Sequence, residues 1–129
     1  MATTRFAKTH EWIRFDPEPK VGDMATVGIS AYAVSALTDL VFMQLPTVGR
    51  NVTAGESFGE VESVKAVSDL YAPVSGEIVE VNGPLVSNLD RLGRDPYGEG
   101  WLVRIRLADP SELAVLLDQS AYDLDVAHG

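Results

Sequence analysis

Short β-like runs separated by turn residues make up most of this chain and constrain its fold more than any other feature. The runs with strand composition are residues 10–15, 24–29, 40–45, 57–64, 68–72, 76–81 and 101–107. Many short strands of this kind are typical of a barrel or a sandwich. We therefore expect a mainly β fold with its core at about residues 10–108, within a single domain covering residues 1–129.

Two segments carry the signals of helices. Ser30 is a suitable N-cap for the alanine-rich stretch 31–37, which predicts a short internal helix. Residues 109–112 read Asp-Pro-Ser-Glu, which combines an N-cap candidate, proline at the first helical position and an acidic residue in the first turn. Apolar residues at helical spacing follow: Leu113, Leu116, Leu117, Ala121 and Leu124. We expect a C-terminal helix at about residues 110–124, with one apolar stripe against the sheet.

The charge of the chain limits its partners. A formal net charge of -9 and a pI near 4.5 oppose binding to phosphate backbones and anionic lipid surfaces. We therefore expect no nucleic acid and no membrane among the partners, and we expect proteins with basic docking surfaces instead. The first ten residues have the character of neither a signal peptide nor a transit peptide, which predicts a cytoplasmic location.

Cysteine is absent from the sequence. Disulfides, thiolate metal sites and cysteine nucleophiles are therefore excluded, and any redox chemistry must come from a bound cofactor. His10-Glu11 is not half of an H-E-x-x-H zinc motif, because Arg14 stands where the second histidine belongs. We expect no metal site.

A weak internal repeat occurs in the middle of the chain. Residues 46–52 read Pro-Thr-Val-Gly-Arg-Asn-Val and residues 73–79 read Pro-Val-Ser-Gly-Glu-Ile-Val. The repeat predicts two similar β-layers related by an approximate two-fold axis, with the intervening hairpin near the join.

Lys65 lies in that hairpin and is one of three lysines in a chain with seven arginines. A primary amine is the natural side chain for a stable amide to a carboxylic-acid cofactor, and a turn leaves it sterically free. Glu62, three residues earlier, is suited to guide an attaching enzyme. Position alone favours an ordinary solvated lysine, so the neighbouring sequence decides between the two interpretations.

That neighbouring sequence resembles the lipoylation site of the glycine cleavage system H protein. The match begins with residues 59–69, which read Gly-Glu-Val-Glu-Ser-Val-Lys-Ala-Val-Ser-Asp. It continues through residues 71–82 and 95–101, and it includes His10-Glu11-Trp12. The resemblance implies a barrel-sandwich hybrid of the lipoyl-domain type, with lipoate bound covalently to Lys65. It further assigns ligase recognition and the hairpin context to Glu62, Ser63, Val64, Ala66 and Asp69. It places Glu11 near the cleft that receives the arm.

The resemblance implies a carrier rather than an enzyme. In that family the lipoyl arm accepts an aminomethyl group from glycine on a pyridoxal-phosphate glycine decarboxylase and presents it to an aminomethyltransferase. A dihydrolipoyl dehydrogenase then reoxidises the dithiol, while a lipoate ligase or a lipoyl/octanoyl transferase attaches the arm. Tethering raises the effective concentration of the carried group at each partner. We expect the carrier to be a monomer.

Four other kinds of carrier compete with this interpretation. Biotinyl domains usually place methionine on both sides of the lysine, where Val64 and Ala66 stand here. Lipoyl domains of 2-oxoacid dehydrogenases usually have an acidic residue directly before the lysine, and this is again Val64. H-like lipoate-binding proteins of cytoplasmic sulfur oxidation, which serve heterodisulfide-reductase-like complexes, share the lysine motif and remain the principal alternative. A lipoyl-relay donor is also compatible with the sequence.

Several positions depart from the family pattern. Ala31 and Val34 stand where a carboxylate and an amide are common, and Thr38 stands where glycine is usual. The stretch from Leu89 to Gly93 lacks the usual proline, leucine and asparagine. These positions lie outside the lysine motif, so they bear on the cleft and on partner choice more than on lipoylation.

A hydrolase is the hypothesis from a different functional class. Residues 55–59 read Gly-Glu-Ser-Phe-Gly and fit the G-x-S-x-G pattern of a nucleophile elbow. An elbow requires a helix directly after Ser57, whereas the sequence predicts a strand there. The histidines are His10 and the near-terminal His128, so a general base is poorly provided as well.

Overall fold

The computed structural model of the protein describes residues 2–128, which form two antiparallel sheets. The six-stranded sheet has the order β1-β2-β3-β9-β8-β5, and the three-stranded sheet has the order β4-β6-β7. The strands are β1 Thr3–Phe6, β2 Glu11–Phe15, β3 Met24–Ile29, β4 Leu40–Gln44, β5 Asn51–Val52, β6 Ser57–Ser63, β7 Val67–Tyr71, β8 Gly76–Val81 and β9 Val103–Leu107. The expected mainly β, barrel-sandwich fold is confirmed. Each of the seven predicted runs contains a strand, whereas β1 and β5 were not predicted.

The main core lies between the two sheets. Strands of the larger sheet contribute Ile13, Val27 and Ile105, while the smaller sheet contributes Met43 and Val61, all nearly inaccessible to solvent. Along β4, β6 and β9 the buried residues alternate with more exposed ones, as expected for sheets with one buried face. Strand β2 is buried on both faces at Trp12 and Ile13. A second cluster at the edge of the larger sheet contains Phe6, Trp12 and Tyr122, so β1 and the C-terminal segment share a small core of their own.

The internal helix α1 spans Ala31–Leu37 and confirms the prediction. The side chain of Ser30 accepts a hydrogen bond from the backbone N–H of Ala33, so Ser30 is the N-cap. Two further short helices, α2 Gly83–Val86 and α3 Asp90–Arg94, lie in a region where the sequence predicted no helix.

The C-terminal helix is present, but the predicted bounds 110–124 are wrong. Asp109 caps a 3-10 helix, Pro110–Val115, and the α-helix α4 begins only at Gln119 and continues to His128. Between them, Leu117 exchanges backbone hydrogen bonds of 2.7 and 2.8 Å with Phe6 at the end of β1. That pairing straightens the chain and divides the helix. The predicted single stripe is lost as well, because Leu113 is buried whereas Leu124 is 63% exposed.

The internal repeat does not separate into two layers. Strand β5 of the first copy pairs antiparallel with β8 of the second copy in the six-stranded sheet, with Asn51 opposite Glu77 and Val52 opposite Gly76. The two copies are therefore neighbours in one sheet. A side chain at Gly76 would collide with the backbone carbonyl of Arg106 on β9, which explains the glycine in the second copy.

Candidate functional site

Lys65 stands at the tip of the hairpin that joins β6 to β7. The backbone N–H of Ser63 donates to the carbonyl of Ala66 at 2.8 Å. In the reverse direction, the backbone N–H of Ala66 donates to Oγ of Ser63 at 3.1 Å. Ser63 is only 7% exposed, whereas Lys65 and Ala66 are exposed. A buried serine therefore closes the turn and leaves the lysine outside it.

The turn is also held from the neighbouring strand. The backbone N–H of Val64 donates to the carbonyl of Asp39 at 3.0 Å, just before β4, while its side chain is 74% exposed. The three ion pairs among residues 2–128 all use arginine, so the ammonium group of Lys65 has no ionic partner within that range. The backbone is fixed on both sides, yet the lysine side chain remains available.

The outer face of the three-stranded sheet is acidic. Glu62 lies opposite Phe42 on β4 and Val67 on β7, so the carboxylate stands between two exposed apolar side chains. Two pairs further from the tip, Glu60 lies directly opposite Asp69. Like charges in directly opposed positions destabilise a sheet, and neither carboxylate belongs to an ion pair among residues 2–128.

Glu11 lies on β2 and is buried, with only 1% of its surface exposed. One carboxylate oxygen accepts from the hydroxyl of Thr9 and the other accepts from the backbone N–H of Tyr71 at 3.1 Å. Burial is the largest influence on this group and raises its pKa to about 7, against hydrogen bonds from Thr9, from Tyr71 and from its own backbone, all of which lower it. Because Tyr71 ends β7, Glu11 links the larger sheet to the hairpin strand that follows Lys65.

Comparison with known proteins identifies the chain. The family described as Glycine cleavage H-protein matches residues 4–128. This chain belongs to that family. A glycine cleavage system H protein of Phenylobacterium zucineum is 49% identical over 124 residues, which cover 96% of this chain and 98% of the relative. The H protein of Symbiobacterium thermophilum is 48% identical over 128 residues, covering 99% and 96% respectively.

A solved H protein confirms the fold of this family member. The crystal structure of a glycine cleavage system H protein from Mycobacterium marinum has a TM-score of 0.88 and 45% sequence identity to this chain. The match covers 97% of each chain. The resemblance inferred from the lysine motif is therefore confirmed along nearly the whole length.

Most departures from the H-protein pattern converge on one place. An open cavity of about 490 Å³ is lined by four of these positions: Val34 within α1, Thr38 at its C-terminal end, Leu89 before α3 and Gly93 within α3. Its other lining residues are Asp39, Leu40, Asp90 and Arg94. Asp39 also holds the lysine turn, so the altered residues adjoin the hairpin. Ala31 lies elsewhere, at the start of α1, where its N–H donates to the hydroxyl of Tyr97 at 2.9 Å.

The structure does not provide a nucleophile elbow. Ser57 is the first residue of strand β6, and its hydroxyl donates to the carbonyl of Gly59 at 3.3 Å. No helix follows it directly, so the hydrolase hypothesis loses its structural basis. Within residues 2–128, no group of three or more histidines and carboxylates is placed to hold a metal ion. In the same range, no helix combines the length and the apolar character that crossing a bilayer requires.

Sequence reasoning missed three residues that shape the site. Asp39 acts through its backbone carbonyl and Tyr71 through its backbone N–H, so their side-chain types carried no signal. Tyr122, in helix α4, is buried against Phe6, with ring centroids 4.3 Å apart. It is the one aromatic side chain of the predicted helix 110–124, and this was the available signal.

Proposed function

We propose that this protein is the lipoyl carrier of a glycine cleavage system and that lipoate is attached through an amide to Nζ of Lys65. The observation that carries the proposal is an exposed lysine, without an ionic partner among the described residues, on a turn that Ser63 and Asp39 fix from both sides. This arrangement appears in a chain that belongs to the H-protein family. A free amine on a fixed backbone fits an attachment point for a long, mobile arm.

Attachment requires the neutral amine of Lys65 to attack an activated lipoyl carbonyl. A C–N bond forms, the activating group leaves, and the amine loses its proton. We infer that the ligase or transferase reads the acidic outer face, where Glu62 and Asp69 flank the hairpin and where Phe42 and Val67 offer apolar contact. A basic rim around an apolar centre on the enzyme would complement this surface.

The bound lipoyl group would supply a dithiolane able to accept and release an aminomethyl group. The chain's own contribution is to present the arm, to limit the volume that it explores and to shelter what it carries. We assign Glu11 to the wall of the sheltering cleft. A carboxyl whose pKa lies near 7 is able both to donate a hydrogen bond when protonated and to attract an ammonium group when ionised.

The partners of this carrier would be the pyridoxal-phosphate glycine decarboxylase, the aminomethyltransferase and the dihydrolipoyl dehydrogenase. In this scheme the chain performs no catalysis itself. The named relatives are all glycine cleavage H proteins, which favours this set over the sulfur-oxidation complexes and the lipoyl relay.

Intact-mass measurement tests the attachment site. After incubation with lipoate, ATP and a lipoate ligase, the wild-type protein should gain the mass of one lipoyl group, and Lys65→Ala should gain nothing. Lys8→Ala and Lys20→Ala remove the other two lysines, which are also exposed, and should leave the gain unchanged. An unmodified wild type, beside an H protein loaded in the same mixture, would reject the proposal.

A second assay tests the partner assignment. The lipoylated protein should support exchange between bicarbonate and the carboxyl group of glycine on a glycine decarboxylase. Absence of exchange, with the arm confirmed by mass, would exclude the glycine cleavage role while leaving the attachment site intact.

A further inference from the structure

A single hydroxyl from the C-terminal helix joins the ends of two strands beside the candidate site. The hydroxyl of Tyr122 lies 2.7 Å from Nδ1 of His10 and 2.6 Å from Oγ of Ser30. His10 precedes β2 and Ser30 follows β3, and the N–H of Ser30 donates to the carbonyl of His10 at 2.9 Å. Glu11 and Ile29 are the next pair inward. Tyr122 and Ser30 are both buried, which limits the competition of water for the bond between them.

One arrangement of the hydrogens satisfies both hydroxyl groups of this cluster. Oγ of Ser30 already accepts from the N–H of Ala33 at 3.2 Å, which caps α1. Either hydroxyl of the Ser30–Tyr122 pair is able to donate. When Ser30 donates to the oxygen of Tyr122, the hydrogen of Tyr122 is available to Nδ1 of His10. This arrangement gives both hydroxyl hydrogens an acceptor and places the proton of a neutral His10 on Nε2.

The backbone of His10 gives an independent indication that the cluster is under constraint. His10 has a φ of 81°, in the left-handed region that non-glycine residues rarely adopt. Such a conformation persists where surrounding contacts over-determine it. The contacts here are the backbone bond from Ser30 and the side-chain bond to Tyr122.

Helix α1 connects the cluster of His10, Ser30 and Tyr122 to the lysine turn. Ser30 caps the helix at its start, and Thr38, with a φ of 59°, ends it. The next residue, Asp39, accepts the N–H of Val64 beside Lys65. A displaced α1 would therefore change the support of the hairpin, while a displaced His10 would move its neighbour Glu11.

We propose that Tyr122 is a positioning residue. Its hydroxyl fixes the positions of α1 and of the start of β2, and through them the positions of the lysine turn and of Glu11. The C-terminal helix thereby contributes to the geometry of the lysine turn and of Glu11. This inference rests on the proposed carrier function for its kinetic consequence, but the geometry that it predicts can be measured on the unmodified chain.

The test uses Tyr122→Phe, which retains the ring stacked on Phe6 and removes only the hydroxyl. Tyr32→Phe is the matched control: its ring centroid lies 4.9 Å from that of His10, and its hydroxyl makes no hydrogen bond within the described chain. Native-state hydrogen exchange should show the amides of Ala33 and Val64 exchanging about fivefold faster in Tyr122→Phe, while those of Val27 and Ile105 in the core keep their protection. Tyr32→Phe should match the wild type.

A rescue series keeps the test valid if Tyr122→Phe is too unstable to study. His10→Asn provides a side-chain oxygen as acceptor and tolerates a positive φ, so it should protect Val64 better than His10→Ala does. Once lipoylated, Tyr122→Phe should raise KM in the exchange assay more than it lowers kcat. Unchanged protection of Val64 in Tyr122→Phe, or equal protection in the two His10 variants, would overturn the inference. Failure of the wild type to load at Lys65 would instead overturn the proposed function.

Discussion

Lys65 at the hairpin and Glu11 on β2 are held in opposite ways. At the hairpin, Ser63 and Asp39 hold the backbone, and the side chain of Lys65 extends outward without an ionic partner in the described chain. At Glu11, the side chain itself is buried and both carboxylate oxygens are hydrogen-bonded. The proposed attachment point has to be exposed for its enzymes to reach it, whereas the proposed wall of the cleft has to be immobile. The fold is compatible with both proposals, because it places Lys65 on a turn and Glu11 between the sheets.

The largest effect that separates the two regions should come from Glu11→Gln. The folded pKa of about 7 lies above the unfolded value near 4.5, so the folded chain retains a proton that the unfolded chain loses. The stabilisation that this proton gives is complete below pH 4.5 and is lost as the pH rises to about 7. The shift corresponds to about 3 kcal/mol. Glutamine cannot ionise, so the variant should lose this decline.

Urea unfolding at several pH values between 4 and 8 measures the Glu11 effect. Glu99→Gln, an exposed carboxylate in a loop, is the control and should retain the wild-type pH profile. A parallel decline in Glu11→Gln and wild type would show that the buried carboxyl does not titrate in this range, and the contrast between the two regions would fail.

Ser63→Ala should have an intermediate effect, located at the hairpin. The variant removes the side-chain acceptor of the Ala66 N–H, so we expect a loss of about 1 kcal/mol in the free energy of unfolding. Loading of Lys65 should slow because the turn is less well held. Ser68→Ala is the matched control, since its hydroxyl makes only a 3.4 Å bond to the carbonyl of Asp69. Equal loading rates for the two variants would show that turn closure does not assist the attaching enzyme.

The same contrast explains what the sequence could predict. The hairpin and Lys65 were predictable because alternation along residues 57–64 and 68–72 is a local signal, and so was the Ser30 cap. The burial of Glu11 was not, because it depends on a bond to Tyr71, 60 positions away in the other sheet. The split C-terminal helix has a similar cause, since Phe6 captures the backbone of Leu117 from the far end of the chain. Local sequence propensity predicts neither of these long-range contacts.

The smallest expected effect concerns the acidic outer face of the three-stranded sheet. The experiment asks whether a partner enzyme binds this face. Glu60→Gln removes the like-charge opposition to Asp69, so the free energy of unfolding should rise by about 0.3 kcal/mol at low salt. The gain should shrink at high salt, because screening already weakens the repulsion in the wild type. Loading by the ligase should become slower despite the greater stability, since the face would present less negative charge to a basic partner. Greater stability with unchanged loading would mean that the attaching enzyme does not contact Glu60, and would restrict its docking surface to the pairs nearer the tip.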